Sequence, residues 1–332
     1  MTRTVRVAGG ITVAVALVVV AIAAWFFYSL YGDRSHPVRS TQVIVPRGST
    51  LGDVADQLTG AGVISNTASF RLLARMQHAD ADVHAGEFQF APHQTPAEVL
   101  HALVTGGAQI ATWVTIPEGF TASQIAERLQ SAGVSSGTNF GRYFLSTPFD
   151  VDGTKTQNLE GFLFPSTYLV PLDATGPQIE KQFTDEFSKQ LPSDASTRAR
   201  ALHVTVPQGV TVASLVEREA KIDSDRPIIA GVIYNRLRLN MPLQVDATIE
   251  YALPQHKTEL SFGDLKIQSP YNSYLHAGLP PTPIANPGHA SLEAAFHPAP
   301  TDALYYVYCG NGHHVFAKTL AEHQANVARC LH

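Results

Sequence analysis

Cysteine is scarce in this chain: two residues, Cys309 and Cys330, in a total of 332. That excludes a cysteine-cluster zinc site and a disulfide-dense small scaffold. Charge is sparse too, at 15% of residues, and there is no basic excess; the formal net charge is −5. No electrostatic case exists for a nucleic acid or for an anionic membrane surface as partner. Several signatures are missing. There is no Gly-x-Gly-x-x-Gly or phosphate loop, no Gly-x-Ser-x-Gly nucleophile elbow and no His-Glu-x-x-His. His313 and His314 are adjacent, so on a strand they point to opposite faces, and with His323 they make a poor chelating set. Neither a metal nor a cofactor is expected.

One local absence of charge carries more meaning. Ala8 to Tyr31 holds no charged residue in 24 positions. As a helix it would run roughly 36 Å, enough to cross a hydrocarbon core of about 30 Å. Trp25, Phe26, Phe27, Tyr28 and Tyr31 crowd its far end like an interfacial aromatic belt. Arg3 and Arg6 precede it. The positive-inside rule then places residues 1–7 in the cytoplasm, residues 8–31 across the inner (plasma) membrane and the remainder outside. Ala21-Ile22-Ala23 offers the alternative of a cleaved signal peptide, but the apolar run continues past it. Residues 32–42 are polar, contain Pro37 and read as a tether. Outside the membrane a disulfide between Cys309 and Cys330 can persist; two free buried thiols are the alternative.

A repeat follows. Val43-Ile-Val-Pro-Arg-Gly-Ser-Thr-Leu-Gly-Asp-Val-Ala-Asp-Gln-Leu58 with Gly62 returns as Val114-Thr-Ile-Pro-Glu-Gly-Phe-Thr-Ala-Ser-Gln-Ile-Ala-Glu-Arg-Leu129 with Gly133, at a constant offset of 71. Each copy reads as a strand, a Pro-x-Gly turn and a helix ending at glycine. That pattern is similar to LysM-type glycan-binding modules. Residues 43–105 are expected to form one, with Gly86–Phe90 as a strand and Pro96–Val104 as a closing helix. Residues 112–332 are expected to be one mixed domain. In it Gln178–Gln190 is a surface helix, residues 191–200 a polar link, and Thr211–Ile222 and Pro227–Leu239 two further helices. The proline-rich stretch around Pro280-Pro281 reads as ordered loop, Leu304–Cys309 as a strand and Leu320–Cys330 as a final helix. The fold class is α+β: a transmembrane helix, a LysM-like subdomain of βααβ type and a mixed α/β catalytic domain.

The helix 211–222 points a carboxylate into its own apolar face. At 100° per residue Val212, Leu215, Val216 and Ile222 share one arc, with Glu219 near its middle. A carboxyl in apolar surroundings resists ionisation, and one that keeps its proton near neutral pH can protonate a leaving group. Glu217 is expected to be solvated.

Several ordered segments carry a family resemblance. They are Asn158-Leu-Glu-Gly-Phe-Leu-Phe-Pro-Ser-Thr-Tyr168, Ala213-Ser-Leu-Val-Glu-Arg-Glu219, Gly231-Val-Ile-Tyr-Asn-Arg-Leu237 and Met241-Pro-Leu-Gln-Val-Asp-Ala-Thr248. Ser269-Pro-Tyr-Asn-Ser-Tyr274, Gly278-Leu-Pro-Pro281, Ile284-Ala-Asn-Pro-Gly288, His297-Pro298 and His314-x-Phe316 complete the set. With these the chain resembles the YceG/MltG family of endolytic murein transglycosylases. The resemblance implies one catalytic glutamate, Glu219, the residue the helical wheel selects. It implies peptidoglycan strands as substrate, cut between N-acetylmuramic acid and N-acetylglucosamine to leave a 1,6-anhydro end. It suggests cell-wall synthases as neighbours. Asn235, Gln244, Asp246, Tyr271 and Asn272 match polar family positions and are expected to bind substrate. Two departures stand out: Ala220 replaces the usual Ser or Thr, and Asp246-Ala247-Thr248 replaces Asp-Pro-Thr. A hydrolytic muramidase remains open if Asp246 or Glu160 supplies a second carboxylate. So does a non-enzymatic scaffold that binds the wall.

Overall fold

A computed structural model describes residues 2–79, 82–134, 137–255, 257, 260–310 and 313–330, with residues 2–13 as backbone only. Met1 and the side chains of Arg3 and Arg6, on which the expected orientation rests, lie outside the described part. The chain is mixed α/β. It divides into two compact units: residues 1–113 with 169–173, and residues 114–168 with 174–332.

The first unit holds α1 (Thr2–Tyr31), β1 (Thr41–Val45), α2 (Leu51–Gly60), α3 (Thr67–Met76), β2 (Gly86–Phe90), α4 (Pro96–Thr105) and most of β3 (Gln109–Thr115). β1 and β2 pair antiparallel, with Thr41 opposite Phe90 and Val45 opposite Gly86. β2 continues antiparallel onto β3. Alternation along β1 and β2 turns Val43, Val45, Phe88 and Phe90 inward, where Val54, Leu58, Phe70, Leu73 and Leu103 from the helices meet them. Threonines start α2 and α4, and Asn66 starts α3. Thr50 and Thr95 each accept the backbone N–H three residues on, while Asp53 and Glu98 reach back to the cap N–H.

Among the described residues one helical stretch, Ala14–Tyr31, is long and apolar enough to cross a membrane, with a mean hydropathy of 2.2. Its final turn is occupied otherwise: Leu30 is buried in the first unit's core, with Phe26 packed against it. The stretch read as a tether is pinned as well. Arg34 pairs with Glu98 at 2.8 Å and donates to the His93 carbonyl.

The chain leaves the first unit along β3 and revisits it along β6 (Thr167–Pro171), completing a sheet in the order β1-β2-β3-β6. Before β6 the second unit contributes α5 (Ala122–Ser131), α6 (Phe140–Ser146) and a two-residue ladder of β4 (Asp150–Val151) and β5 (Thr154–Lys155). Both copies of the repeat keep the same local devices. Thr50 and Thr121 cap α2 and α5, and Gly62 and Gly133 follow the helices at φ 69° and 83°, where a side chain would be strained.

After β6 come α7 (Gly176–Gln190), α8 (Ala195–Ala201), α9 (Val206–Glu219), α10 (Arg226–Arg238), α11 (Asp246–Ala252) and α12 (His289–Phe296). A hairpin of β7 (Tyr305–Tyr308) and β8 (His314–Ala317) and then α13 (Leu320–Cys330) close the chain. Two expectations need correction. Residues 191–200 are no mere link, because α8 begins within them. The helix expected over 211–222 is α9, which starts five residues earlier and stops three earlier. Thr205 and Gln208 form a capping box with Pro207 in the first turn, and Ala220 turns extended at φ −66°, ψ 133°. Ile222 is therefore off the helix. α9 is buried over most of its length. Val210, Val212, Leu215 and Val216 are fully buried, and Thr211 and Ser214 are buried among them. Gly209 lets α12 come close: a Cβ there would stand 2.6 Å from the Phe296 ring.

Cys309 and Cys330 are joined as a disulfide with their Cα atoms 4.6 Å apart. It fastens the end of β7 to the end of α13.

Candidate active site

α9 runs through the second unit's core and ends at a cavity of about 590 Å³. Its last residue, Glu219, is half-buried, with the carboxyl enclosed by protein and an edge open to that cavity. The β7–β8 hairpin supplies part of the same lining. Tyr306 on β7 donates its hydroxyl to Glu219 Oε2 at 3.0 Å. The hairpin is fixed from below by Arg236 of α10. Its Nε donates to the Leu304 carbonyl at 2.6 Å, its Nη1 to Leu243 at 2.8 Å, and its guanidinium lies 5.1 Å from the Tyr305 ring centre.

Burial is the main force on Glu219 and pushes its carboxyl up to about 7, from an ordinary 4.5. The negative charges of Asp246 and Glu250 push the same way, while the Tyr306 hydrogen bond and Lys221 oppose them. The carbonyl end of α9 adds a further negative field. Tyr306 is held far above the usual phenol range by burial and by Glu219 itself, so it remains a donor. With Oε2 accepting from Tyr306, the carboxyl proton belongs on Oε1. The arrangement suits a general acid: a carboxyl whose proton is held up toward neutral pH, oriented by a neighbour and open to a groove.

Of the residues expected to bind substrate, Gln244 and Asp246 line the same cavity. Asp246 is held by the Tyr274 hydroxyl. Gln244 sits in the left-handed region at φ 51°, its N–H fixed by the Ser273 carbonyl at 3.0 Å. The other three do not line it. Asn235 is buried and spends its Nδ2 on the Thr301 and Ala303 carbonyls, at 2.9 and 3.0 Å, while its Oδ1 accepts from Arg238. Asn272 is fully buried, bridging the Leu265 and Ile267 carbonyls. Tyr271 stacks at an angle on Tyr251 and bonds Thr282. Asn235 and Asn272 brace irregular backbone, and Tyr271 joins two side chains.

Glu217 is not solvated. Its side chain is 7% exposed, paired with Arg226 at 3.4 Å, and it accepts the Gly288 N–H at 3.0 Å. Gly288 caps α12, so this carboxylate sits at that helix's positive end. Glu118 flanks the same spot: a Cβ on Gly288 would meet its Oε1 at 1.9 Å. Burial and the Glu217 charge raise the Glu118 carboxyl. Glu160 is likewise buried and pushed up to about 8 by burial, against bonds from the Ala122 N–H, Tyr251 and Asn286. It fastens the start of α5 to the loop of Asn286, and it is not among the lining of the Glu219 cavity.

Several lining groups were not anticipated from sequence: Arg218, Glu250, Tyr274, Tyr306, His314 and His323. The aromatic run Tyr305-Tyr306-Val307-Tyr308 was the available signal, since a four-residue strand this rich in tyrosine has more than packing to do. His314 is oriented by Asp225 at 2.9 Å, and His323 stacks on Tyr305.

A buried, oriented carboxyl beside an open polar cavity, on a mixed α/β unit, has the make-up that acid catalysis requires. Residues 43–329 match the YceG-like family, and the chain belongs to it. An endolytic murein transglycosylase of Bacillus subtilis is 33% identical over 307 residues, 86% of this chain and 83% of that protein. One from Streptococcus pneumoniae is 28% identical over 351 residues, 95% of this chain and 63% of that protein. The crystal structure of a yceG-like protein from Listeria monocytogenes superposes with a TM-score of 0.60 at 28% identity, covering 87% of this chain and 99% of that one.

Proposed function

We propose that this chain is a membrane-anchored endolytic lytic transglycosylase of peptidoglycan, with Glu219 as its acid. The observation that carries the reading is the Glu219 carboxyl, raised to about 7 beside an open cavity with one oxygen occupied by Tyr306. The relatives named endolytic murein transglycosylase support the substrate and the reaction class.

In the reaction, Glu219 Oε1 protonates the oxygen that joins N-acetylmuramic acid C1 to N-acetylglucosamine, and the C1–O bond breaks. The muramyl C6 hydroxyl attacks C1, and its proton passes to the now ionised Glu219 as the 1,6-anhydro ring closes. Atoms balance without water, and Glu219 ends as it began. An intramolecular hydroxyl has the advantage of proximity, which is why one carboxyl suffices. Asp246, held by Tyr274 in the same cavity, supplies negative charge for the oxocarbenium-like centre at C1. The apolar helix at Ala14–Tyr31 would anchor the chain, with residues 1–7 cytoplasmic and the residues after Tyr31 outside. Residues 43–105 would act as a LysM-like glycan-binding module, and residues 112–332 as the catalytic domain working beside wall synthases.

Asp246 also keeps a second reading open, because a carboxylate in the same cavity is what a hydrolytic muramidase requires. Mass spectrometry of a digest of uncrosslinked glycan separates the two. Anhydro ends lack one water relative to reducing ends. Anhydro products lost in Glu219→Gln support the lytic reading; reducing ends indicate hydrolysis; intact strands indicate a binding scaffold.

A further inference from the structure

A second cavity of about 450 Å³ adjoins the one that holds Glu219, and the two share Arg218, Ala247 and Glu250 as lining. Arg218 and Glu250 pair at 2.9 Å and form the saddle between them. α11 contributes to both. Asp246 lines the first cavity alone, Tyr251 the second alone, and Ala247 and Glu250 between them line both. The far walls of the second cavity combine hydroxyl and amide groups from the start of α5 (Thr121, Ser123, Gln124) with apolar Leu145 and Leu253. Leu145 is 41% exposed there. Both volumes fall within the ~300–1,000 Å³ of ordinary ligand sites.

We infer that the second cavity is a remote subsite for N-acetylhexosamine units of the same glycan strand, continuous over the Arg218–Glu250 saddle with the site of cleavage. This rests on the lytic reading of the first cavity and extends it. An enzyme that cuts inside a polymer must hold sugars well beyond the scissile bond. The saddle suits a neutral sugar backbone over a carboxylate-bearing stem peptide, because Glu250 already neutralises Arg218. Hydroxyl and amide groups on one wall and aliphatic groups on the other match a pyranose, which offers hydroxyls at its rim and C–H groups on its faces.

The test is binding, measured on full-length Glu219→Gln so that nothing is cut. The probes are N-acetylglucosamine oligomers of two and six sugars, which carry no charge, with uncrosslinked glycan oligomers that keep their stem peptides as the comparison. The expected result is tighter binding of the longer oligomer by at least about tenfold. Ser123→Trp or Leu145→Trp, each at an exposed position, should reduce that preference to below about twofold while leaving the two-sugar affinity unchanged. A preference that survives both substitutions overturns the inference. So does a preference seen only with oligomers that keep their stem peptides, which would make the occupant peptide. Length-dependent binding without cleavage by the wild type would sink the lytic reading and leave this subsite standing. Anhydro products with length-independent affinity would do the reverse.

Discussion

Replacing Glu219 with glutamine should remove activity and, above neutral pH, make the protein more stable. In the unfolded chain this carboxyl loses its proton near 4.5; in the folded protein burial holds it until about 7. Below about pH 4.5 both states are protonated and the group is neutral to stability. Between the two values the folded state keeps a proton that the unfolded state has lost. The folded state therefore binds more protons, and stability falls as pH rises. Above about 7 the whole cost is present. A gap of about 2.5 units at ~1.4 kcal/mol each gives an upper figure of ~3 kcal/mol. Water in the cavity screens part of it, leaving about 1–3 kcal/mol. Glutamine carries no charge, fits the same space and can still meet the Tyr306 hydroxyl. Urea denaturation of both proteins at about pH 4.5 and pH 8.5 measures the difference. Glu160, pushed up to about 8 in both, cancels. The variant should match the wild type at the lower pH and exceed it by about 1–3 kcal/mol at the higher. A difference that does not change with pH, or a variant weaker at pH 8.5, would refute the reasoning.

Three further outcomes follow from the same contacts. Tyr306→Phe removes a hydrogen bond that favours ionised Glu219, so the alkaline limb of the pH–kcat profile should move up by about one unit; an unmoved limb would deny Tyr306 its part. Glu217→Gln breaks the pair with Arg226 and weakens the cap on α12, which should cost about 1–3 kcal/mol in denaturation while kcat of the folded enzyme stays near the wild-type value. Loss of the disulfide in Cys309→Ser/Cys330→Ser, closing a separation of 21 residues, should cost about 3 kcal/mol, measured as a lower urea midpoint than the wild type under non-reducing conditions.

The parts of the fold that were legible in sequence are those set by local chemistry. The repeat could be read because a threonine cap and a positive-φ glycine act within one turn of chain. The burial of the Glu219 carboxyl was legible, though its cause differs from the helical wheel. The wheel enlisted Ile222, yet α9 stops at Glu219, and the carboxyl is enclosed by the hairpin of Tyr306 rather than by its own helix face. The earlier start of α9 was written in the capping signal Thr205-x-x-Gln208 with Pro207. What sequence could not give is the destination of long-range hydrogen bonds. Asn235 reaches carbonyls 66 and 68 residues away, and Glu217 meets Gly288 at a separation of 71. A polar side chain that braces a loop and one that binds a sugar look alike until the loop is placed.

Acid catalysis by Glu219 requires its carboxyl to keep a proton up to about neutral pH. Carbon-13 NMR titration of the glutamate carboxyls, with the Glu219 signal assigned by its loss in Glu219→Gln, tests it directly. A midpoint near 7 is the predicted result. A midpoint near 4.5 would leave the site without an acid and contradict the account.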